Sequence, residues 1–206
     1  MKKSIIIITT CMIVFVVVLL VSCNNDAPVK PTTTESEKKG LSDAELLERG
    51  GYLVNSIGCN HCHTPKIMTP KGPVMDSAKL LSGHPAGVPL PAIGKNALQP
   101  GNWILFAPDL TATAGPWGIS YAANLTPDSV TGIGMWTEEA FVKTLRTGKH
   151  LGQDGGRPIM PPMPWESIGA LTDEDLKALF TFLKALPPVK NQVHAYTPPN
   201  EVEIAK

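Results

Sequence analysis

The sequence carries no surplus of charge: 18 Lys and Arg residues stand against 18 Asp and Glu in 206 residues. Nucleic-acid binders normally show a clear basic excess or basic patches, so nothing here points to one. Only 17% of the residues are charged and 43% are hydrophobic, which excludes a disordered acidic or basic tail. Cysteine is scarce as well. Cys11, Cys23, Cys59 and Cys62 are the whole supply. An even count in an exported chain invites a disulfide framework, but these four positions argue against one. No internal repeat is evident, and no convincing alternating strand pattern appears between the helical stretches. The length allows one domain of ordinary size with an appendage.

What is present begins with an export signal. Lys2 and Lys3 precede the apolar run Ile5 to Val21, broken only by Thr9, Thr10 and Cys11. As a helix these 17 residues reach roughly 26 Å, marginal for a hydrocarbon core of ~30 Å. The run ends at Leu20-Val21-Ser22-Cys23 and turns polar at Asn24-Asn25-Asp26. Leu-Val-Ser-Cys resembles the lipobox of bacterial lipoproteins, which implies cleavage before Cys23 and acylation of its thiol and new N-terminus. An uncleaved anchor helix is the alternative. Both readings place the remainder outside the cytoplasmic membrane, facing the periplasm or beyond, and tethered to that envelope. Loss of residues 1–22 removes Lys2 and Lys3 and leaves a mildly acidic chain. Residues 23–40 have few apolar side chains, two prolines and mixed charge, and read as a flexible tether.

Three helices follow from capping signals. Ser42 and Glu45 form a capping box, stapled by Leu41 and Leu46, and Leu46, Gly50, Leu53 and Ile57 share a face. Thr137 heads a second helix, with Trp136 and Phe141 as staple. Thr172 heads a third, with Leu176, Leu179, Phe180, Leu183 and Leu186 as its stripe and Pro187-Pro188 as its stop. Gly50 and Gly51 let another helix approach closely. Between the first two helices, residues 65–134 hold 10 prolines and 9 glycines, too many for long helices. The same stretch carries Leu80, Leu81, Trp103 to Phe106, Trp117 and Tyr121, too many large apolar groups for a disordered linker. Such loops order when they have something to pack on, and a large rigid cofactor serves.

Cys59-Asn60-His61-Cys62-His63 is C-x-x-C-H. Its spacing suits two thioether bonds to the vinyl groups of haem, with the next histidine placed to ligate the iron. A thioredoxin-type Cys-x-x-Cys wants a strand before it and a regular helix after it, whereas here a helix precedes and Thr64-Pro65 follows. Structural zinc needs four ligands, and no second Cys pair remains once residues 1–22 are gone. A disulfide between Cys59 and Cys62 explains neither His63 nor the aromatic loops. One haem c on Cys59 and Cys62, with His63 as proximal ligand, is the expectation.

The block ERGGYLVNSIGCNHCHTP (Glu48 to Pro65) resembles the N-terminal helix and attachment site of class I c-type cytochromes. LTDEDLKALFTFLKALPPV resembles their C-terminal helix. NLTPDSVTGIGMWTEEAFVKTLRTGKH is similar to the cytochrome modules of bacterial membrane-bound dehydrogenase subunits. The resemblance spans Leu41 to Lys190. It implies an all-α cytochrome c fold, with long Pro/Gly-rich loops around one covalent haem and terminal helices crossing near it, a placement suited to Gly50-Gly51 and Phe180. Those subunits often carry two or three haem motifs, and this chain has one. The expected organisation is signal peptide 1–22, tether 23–40, cytochrome domain 41–190 and C-terminal tail 191–206.

A sixth, thioether ligand keeps the iron coordinatively saturated, as an electron carrier requires. Met160 and Met163 lie in Arg157-Pro158-Ile159-Met160-Pro161-Pro162-Met163-Pro164-Trp165, where prolines restrict the backbone. The family pattern favours Met163, with Met160 as alternative. Core filling is the plainer role for both. His61 is expected to face solvent, and His84, His150 and His194 to be surface residues. The resemblance places Asn124, Leu125 and Pro127 in the haem crevice wall. Trp103, Trp117 and Arg157 are candidates to face the ring or a propionate. The expected function is a lipid-tethered carrier of single electrons between envelope redox proteins, not an enzyme. The alternatives are a cytochrome subunit of a larger dehydrogenase or oxidase, or a haem enzyme with an open sixth position.

Overall fold

The computed structural model describes residues 40–94 and 96–205. The expectations for the signal segment, Cys11, Cys23 and most of the tether lie outside these residues.

The first helix, α1 (Asp43–Ile57), starts where the sequence places it. The Ser42 hydroxyl accepts from the Glu45 amide, and the Ser42 amide donates to the Glu45 carboxylate at 2.8 Å. It ends at Gly58, whose left-handed φ of 84° turns the chain at once into the short helix α2 (Cys59–His63). Two hairpin systems follow. β1 (Lys66–Thr69) and β2 (Gly72–Met75) pair alone, while β3 (Leu105–Phe106), β4 (Ala112–Gly115) and β5 (Gly118–Tyr121) form an antiparallel three-stranded sheet. These strands are two to four residues long, too short to show an alternating pattern in the sequence. Then come α3 (Glu138–Thr147), α4 (Trp165–Gly169) and α5 (Asp173–Ala185). Thr137 and Thr172 cap α3 and α5 as expected, accepting from the Ala140 and Asp175 amides. Among the described residues no helix is long and apolar enough to cross a membrane.

The main core lies where α1 crosses α5 and α3 packs beside them. Leu46, Leu53 and Val54 meet Leu176, Leu179 and Leu183, and Phe141 and Leu145 join them from α3. All three hydrophobic staples contribute side chains to this cluster. At the crossing, a Cβ on Gly50 would lie 2.1 Å from the Ala178 carbonyl oxygen and 2.6 Å from Phe182 Cβ. Gly50 therefore allows the close approach the sequence implied. The aromatic at the crossing is Phe182, not Phe180, which packs its ring against Phe141 at 5.3 Å. The α1 face also differs by one residue: Val54 is buried and Ile57, at the helix end, is exposed.

A second, smaller cluster joins Ile93, Ala112, Ala114, Ile119 and Val202. It is closed by the C-terminal segment, in which Thr197 bridges to Ile119 and Ile204 to Ile93.

Candidate functional site

The break at Gly58 gives the C-x-x-C-H segment its position. α1 is held by the core, and its axis cannot continue through a residue at φ 84°, so α2 leaves it at a fixed bend. A Cβ at Gly58 would lie 2.6 Å from His61 Nδ1, which folds back to the Gly58 carbonyl at 3.2 Å. His61 is exposed, as expected. Cys59 and Cys62 are free thiols, both half-buried. Burial pushes both thiols above the ordinary cysteine range, so neither is a standing thiolate.

His63 is buried and its orientation is fixed. Nδ1 lies 2.8 Å from the Ala123 carbonyl oxygen, which only accepts, so Nδ1 carries the proton and Nε2 keeps its lone pair. Burial, opposed by that hydrogen bond, lowers its pKa and favours the neutral imidazole. The backbone is pinned too: the His63 carbonyl accepts from Gly83 N at 2.7 Å, and His84 N donates to Ala122 O at 2.9 Å. Thr64, fully buried, donates to Asn60 and accepts from the Leu81 amide. This is the second-layer arrangement that presents a histidine to a metal, with one ring nitrogen anchored and the other free.

Met163 is half-buried and packs on the same core cluster that Cys59 touches. Its loop is clamped to the end of α3. Ile159 N donates to Gly148 O at 2.7 Å, and His150 N donates to Arg157 O at 2.8 Å. Gly148 is the left-handed C-cap of α3, and a Cβ on it would meet the Trp165 ring at 2.5 Å. The Ser120 hydroxyl donates to Pro161 O, tying the loop to β5 as well. Met160 is also half-buried.

Other expectations separate. Leu125 packs on the core cluster. Asn124 is buried, and its side chain is spent on Thr126 and on the Val189 carbonyl, which makes it a fastener of the turn. Trp103 is 78% exposed and Arg157 is exposed, whereas the Trp117 indole N–H is buried without a hydrogen-bond partner. Among the described residues it is the only such side-chain atom, and a buried unpaired donor calls for an acceptor. His150 and His194 are exposed as expected. His84 is not a surface residue. It is buried against Tyr121, and its Nδ1 donates to Thr111, whose hydroxyl donates to Asp109. Sequence reasoning missed His84, because a histidine beside proline in a Pro/Gly-rich stretch carries no periodic burial signal. A cavity of about 670 Å³ opens beside His84, Tyr121 and His194, but none of Cys59, Cys62, His63 and Met163 lines it.

Two thiols at C-x-x-C spacing, a neutral histidine with Nε2 free and a clamped methionine loop fit a covalently held haem. Among the described residues no group of three or more His, Cys, Asp or Glu side chains is placed to hold a metal ion by itself.

Comparison with known proteins gives the same class. No protein-family model matches the chain. A nicotinate dehydrogenase subunit of Pseudomonas putida is 38% identical over 169 residues, 82% of this chain and 10% of that protein. The fructose dehydrogenase cytochrome subunit of Gluconobacter japonicus is 29% identical over 156 residues, 76% of this chain and 23% of that protein. The gluconate 2-dehydrogenase cytochrome c subunit of Pantoea cypripedii is 30% identical over 145 residues, 70% of this chain and 24% of that protein. The chain thus spans between a tenth and a quarter of the length of these curated relatives. The similarity supports a cytochrome c module in this chain, related to those of dehydrogenase subunits.

Proposed function

We propose that the chain is a monohaem cytochrome c that carries single electrons between redox proteins of a bacterial cell envelope. It is an electron carrier rather than an enzyme. The observation that carries this is His63 within C-x-x-C-H, with Nδ1 donating to Ala123 and Nε2 left free. Haem, when bound, supplies a one-electron Fe(III)/Fe(II) couple. Cys59 and Cys62 would hold it through thioether bonds. His63 Nε2 would bind the iron, and the Ala123 carbonyl fixes the ring plane and the tautomer for it. Met163 would supply the other protein ligand to the iron. The prolines on both sides of it, and the Gly148 clamp, leave its loop little freedom to lose on binding. The fold is an all-α cytochrome c fold decorated with small hairpins, and Cys23 is the lipid attachment point that keeps the domain at the membrane.

The relatives are named as subunits of dehydrogenases, which favours a second reading in which this chain serves one dehydrogenase as its cytochrome subunit. The chemistry is the same, and only the permanence of the partner differs.

The test is a spectrum of the purified full-length protein. One haem per chain is expected by pyridine haemochrome, with a ferric methionine–iron charge-transfer band and no rapid carbon monoxide binding at neutral pH. Met163→Ala abolishes that band and opens the site to carbon monoxide, while Met160→Ala leaves both unchanged. The reverse pattern moves the ligand to Met160. Rapid carbon monoxide binding by the wild type overturns the carrier reading in favour of an open-site enzyme.

A further inference from the structure

The hairpin that follows the C-x-x-C-H segment is left uncovered. β1 and β2 form a sheet of two strands, and neither packs substantially on another named element. A lone hairpin is marginally stable in water and normally leans on a third strand or a helix. In this register Ile67 faces Val74 on one side, 53% and 49% exposed. On the other side stand Met68 and Met75, 62% and 43% exposed, with Pro73 and Lys66 as their cross-strand partners. Single exposed apolar residues need no explanation, but a contiguous set on both faces of one element does.

The frame of the hairpin is nonetheless fixed. The Thr69 hydroxyl donates to Gly72 O at 2.7 Å and accepts from Lys71 N at 3.2 Å, which closes the turn. Asp76 N donates to Pro65 O at 2.9 Å and closes the base. The Lys66 ammonium donates to the His61 carbonyl, joining the hairpin to α2. An apolar surface on a preorganised frame loses little conformational entropy when something covers it.

We propose that this hairpin is the docking element for the redox partner, and that the partner is a protein whose face offers an apolar cleft with an acidic rim. The proposal rests on the electron-carrier reading and names the surface through which it works. Position is the first argument. Only Thr64 and Pro65 separate the hairpin from His63, so a protein seated on it lies beside Cys59 and Cys62, where an electron has to cross. Charge is the second. Lys66, Lys71 and Lys79 surround the hairpin, opposed there by Asp76, which pairs with Lys79 at 3.5 Å, and by Asp109, whose charge reaches Lys66, which leaves a net positive rim. The acidic residues Asp43, Glu45, Asp173, Glu174 and Asp175 gather instead in the first turns of α1 and α5. A basic patch around an apolar centre steers a partner of opposite charge and excludes one of like charge.

The experiment uses the haem-loaded, full-length protein. A photo-crosslinking amino acid replaces Val74 in the native host and, as control, Val130, which is 78% exposed elsewhere. The expected capture from position 74 is a protein that, once purified, reduces or oxidises the cytochrome. With that protein, the Ile67→Glu/Val74→Glu double variant exchanges electrons about tenfold more slowly or worse, as truncation of a buried hot spot does. Val130→Glu matches the wild type, and added salt slows the wild-type reaction. Equal rates in all three proteins overturn the proposal. So does crosslinking from position 74 only to a second copy of this chain. Hairpin-dependent binding to vesicles of mixed neutral and anionic phospholipid, with no effect on electron exchange, reassigns the element to the membrane and also overturns it. Haem content by pyridine haemochrome separates the two levels. A wild type without haem sinks the carrier reading and the docking site together, whereas a haem-loaded wild type that its variants match sinks the docking site alone.

Discussion

Replacing Gly50 by Ala puts a methyl group where the two main helices touch. The new Cβ would sit 2.1 Å from the Ala178 carbonyl oxygen and 2.8 Å from its carbonyl carbon, both backbone atoms of α5. Neither can rotate away, so the helices must part by more than an ångström. Overpacking of this kind costs about 1–3 kcal/mol, and the parting loosens Leu46, Leu53 and Val54 against Leu176, Leu179 and Leu183. The better helix propensity of Ala offsets about 1 kcal/mol of that. The net expectation is a loss of up to about 2 kcal/mol, or a few degrees in Tm at about 2–4 °C per kcal/mol for a chain this long. Because only Gly58 separates α1 from α2, the same shift displaces Cys59, and slower or incomplete haem attachment should accompany the lost stability.

Gly51→Ala is the internal control. The nearest atoms to its Cβ belong to the Phe182 ring, at 3.0 Å and beyond, and that side chain can yield by a few tenths of an ångström. The propensity gain then stands nearly unopposed, and Gly51→Ala should be neutral or slightly stabilising. Urea unfolding followed by far-ultraviolet circular dichroism compares the two. A Gly50→Ala protein as stable as Gly51→Ala refutes the close crossing.

Gly148→Ala strains a residue at φ 66° and drives a Cβ to within 2.5 Å of the Trp165 ring, two residues past Met163. The ferric methionine–iron band should weaken while the helical circular dichroism is kept, and an unaltered band would show that Gly148 does not position the methionine loop. The hydrogen bond and charge of Arg49 hold the Asp175 carboxyl below the ordinary carboxylate range, at an N–O separation of 2.8 Å. A depressed carboxylate contributes stability above its unfolded value of about 3.9 and loses it as pH falls through the lower folded value. Asp175→Asn should therefore unfold at lower urea than the wild type at neutral pH, and the gap should close in acid. A gap that is unchanged in acid would assign the effect to packing.

The helices were legible in the sequence because their signals are local. Caps, staples and the apolar stripes of α1 and α5 each lie within one or two turns. The C-x-x-C-H motif is just as local. The supporting layer was not. Nothing in the sequence ties His63 to Ala123, 60 residues away, since the link is a side-chain bond to a backbone carbonyl. The strands escaped for a different reason. At two to four residues they are too short to show alternation, and β1 and β2 have two exposed faces, so no alternation exists to be read. Phe182 rather than Phe180 at the crossing follows from the i, i+4 spacing to Ala178, the residue under Gly50. That pairing needs a partner helix before it can be seen.

The layer behind His63 depends on one side chain from the end of the chain. Asn191 Nδ2 donates to Ser82 O at 2.7 Å and His84 O at 2.8 Å, while its Oδ1 accepts from Ala86 N at 2.8 Å. Ser82 and His84 are buried, and between them Gly83 N holds the His63 carbonyl. Gly83 lies so close to Ala122 and Ala123 that a Cβ on it would come within 2.7 Å of both. The residue that anchors the imidazole is thus positioned through a segment that Asn191 fastens. Asn191→Ala removes three hydrogen bonds and strands two buried carbonyls, at a cost of about 1–3 kcal/mol for each group left unpaired. Some relaxation and water entry will recover part of that, so a total near 2–4 kcal/mol is expected by denaturant unfolding. Loss of the Ala123 contact frees Nδ1 to exchange with water. The hyperfine-shifted Nδ1 proton of His63 should then broaden or vanish in the ferric spectrum of the variant. A variant within about 0.5 kcal/mol of the wild type, the range of an ordinary surface substitution, with that proton still sharp, would show that the C-terminal segment plays no part in holding the ligand.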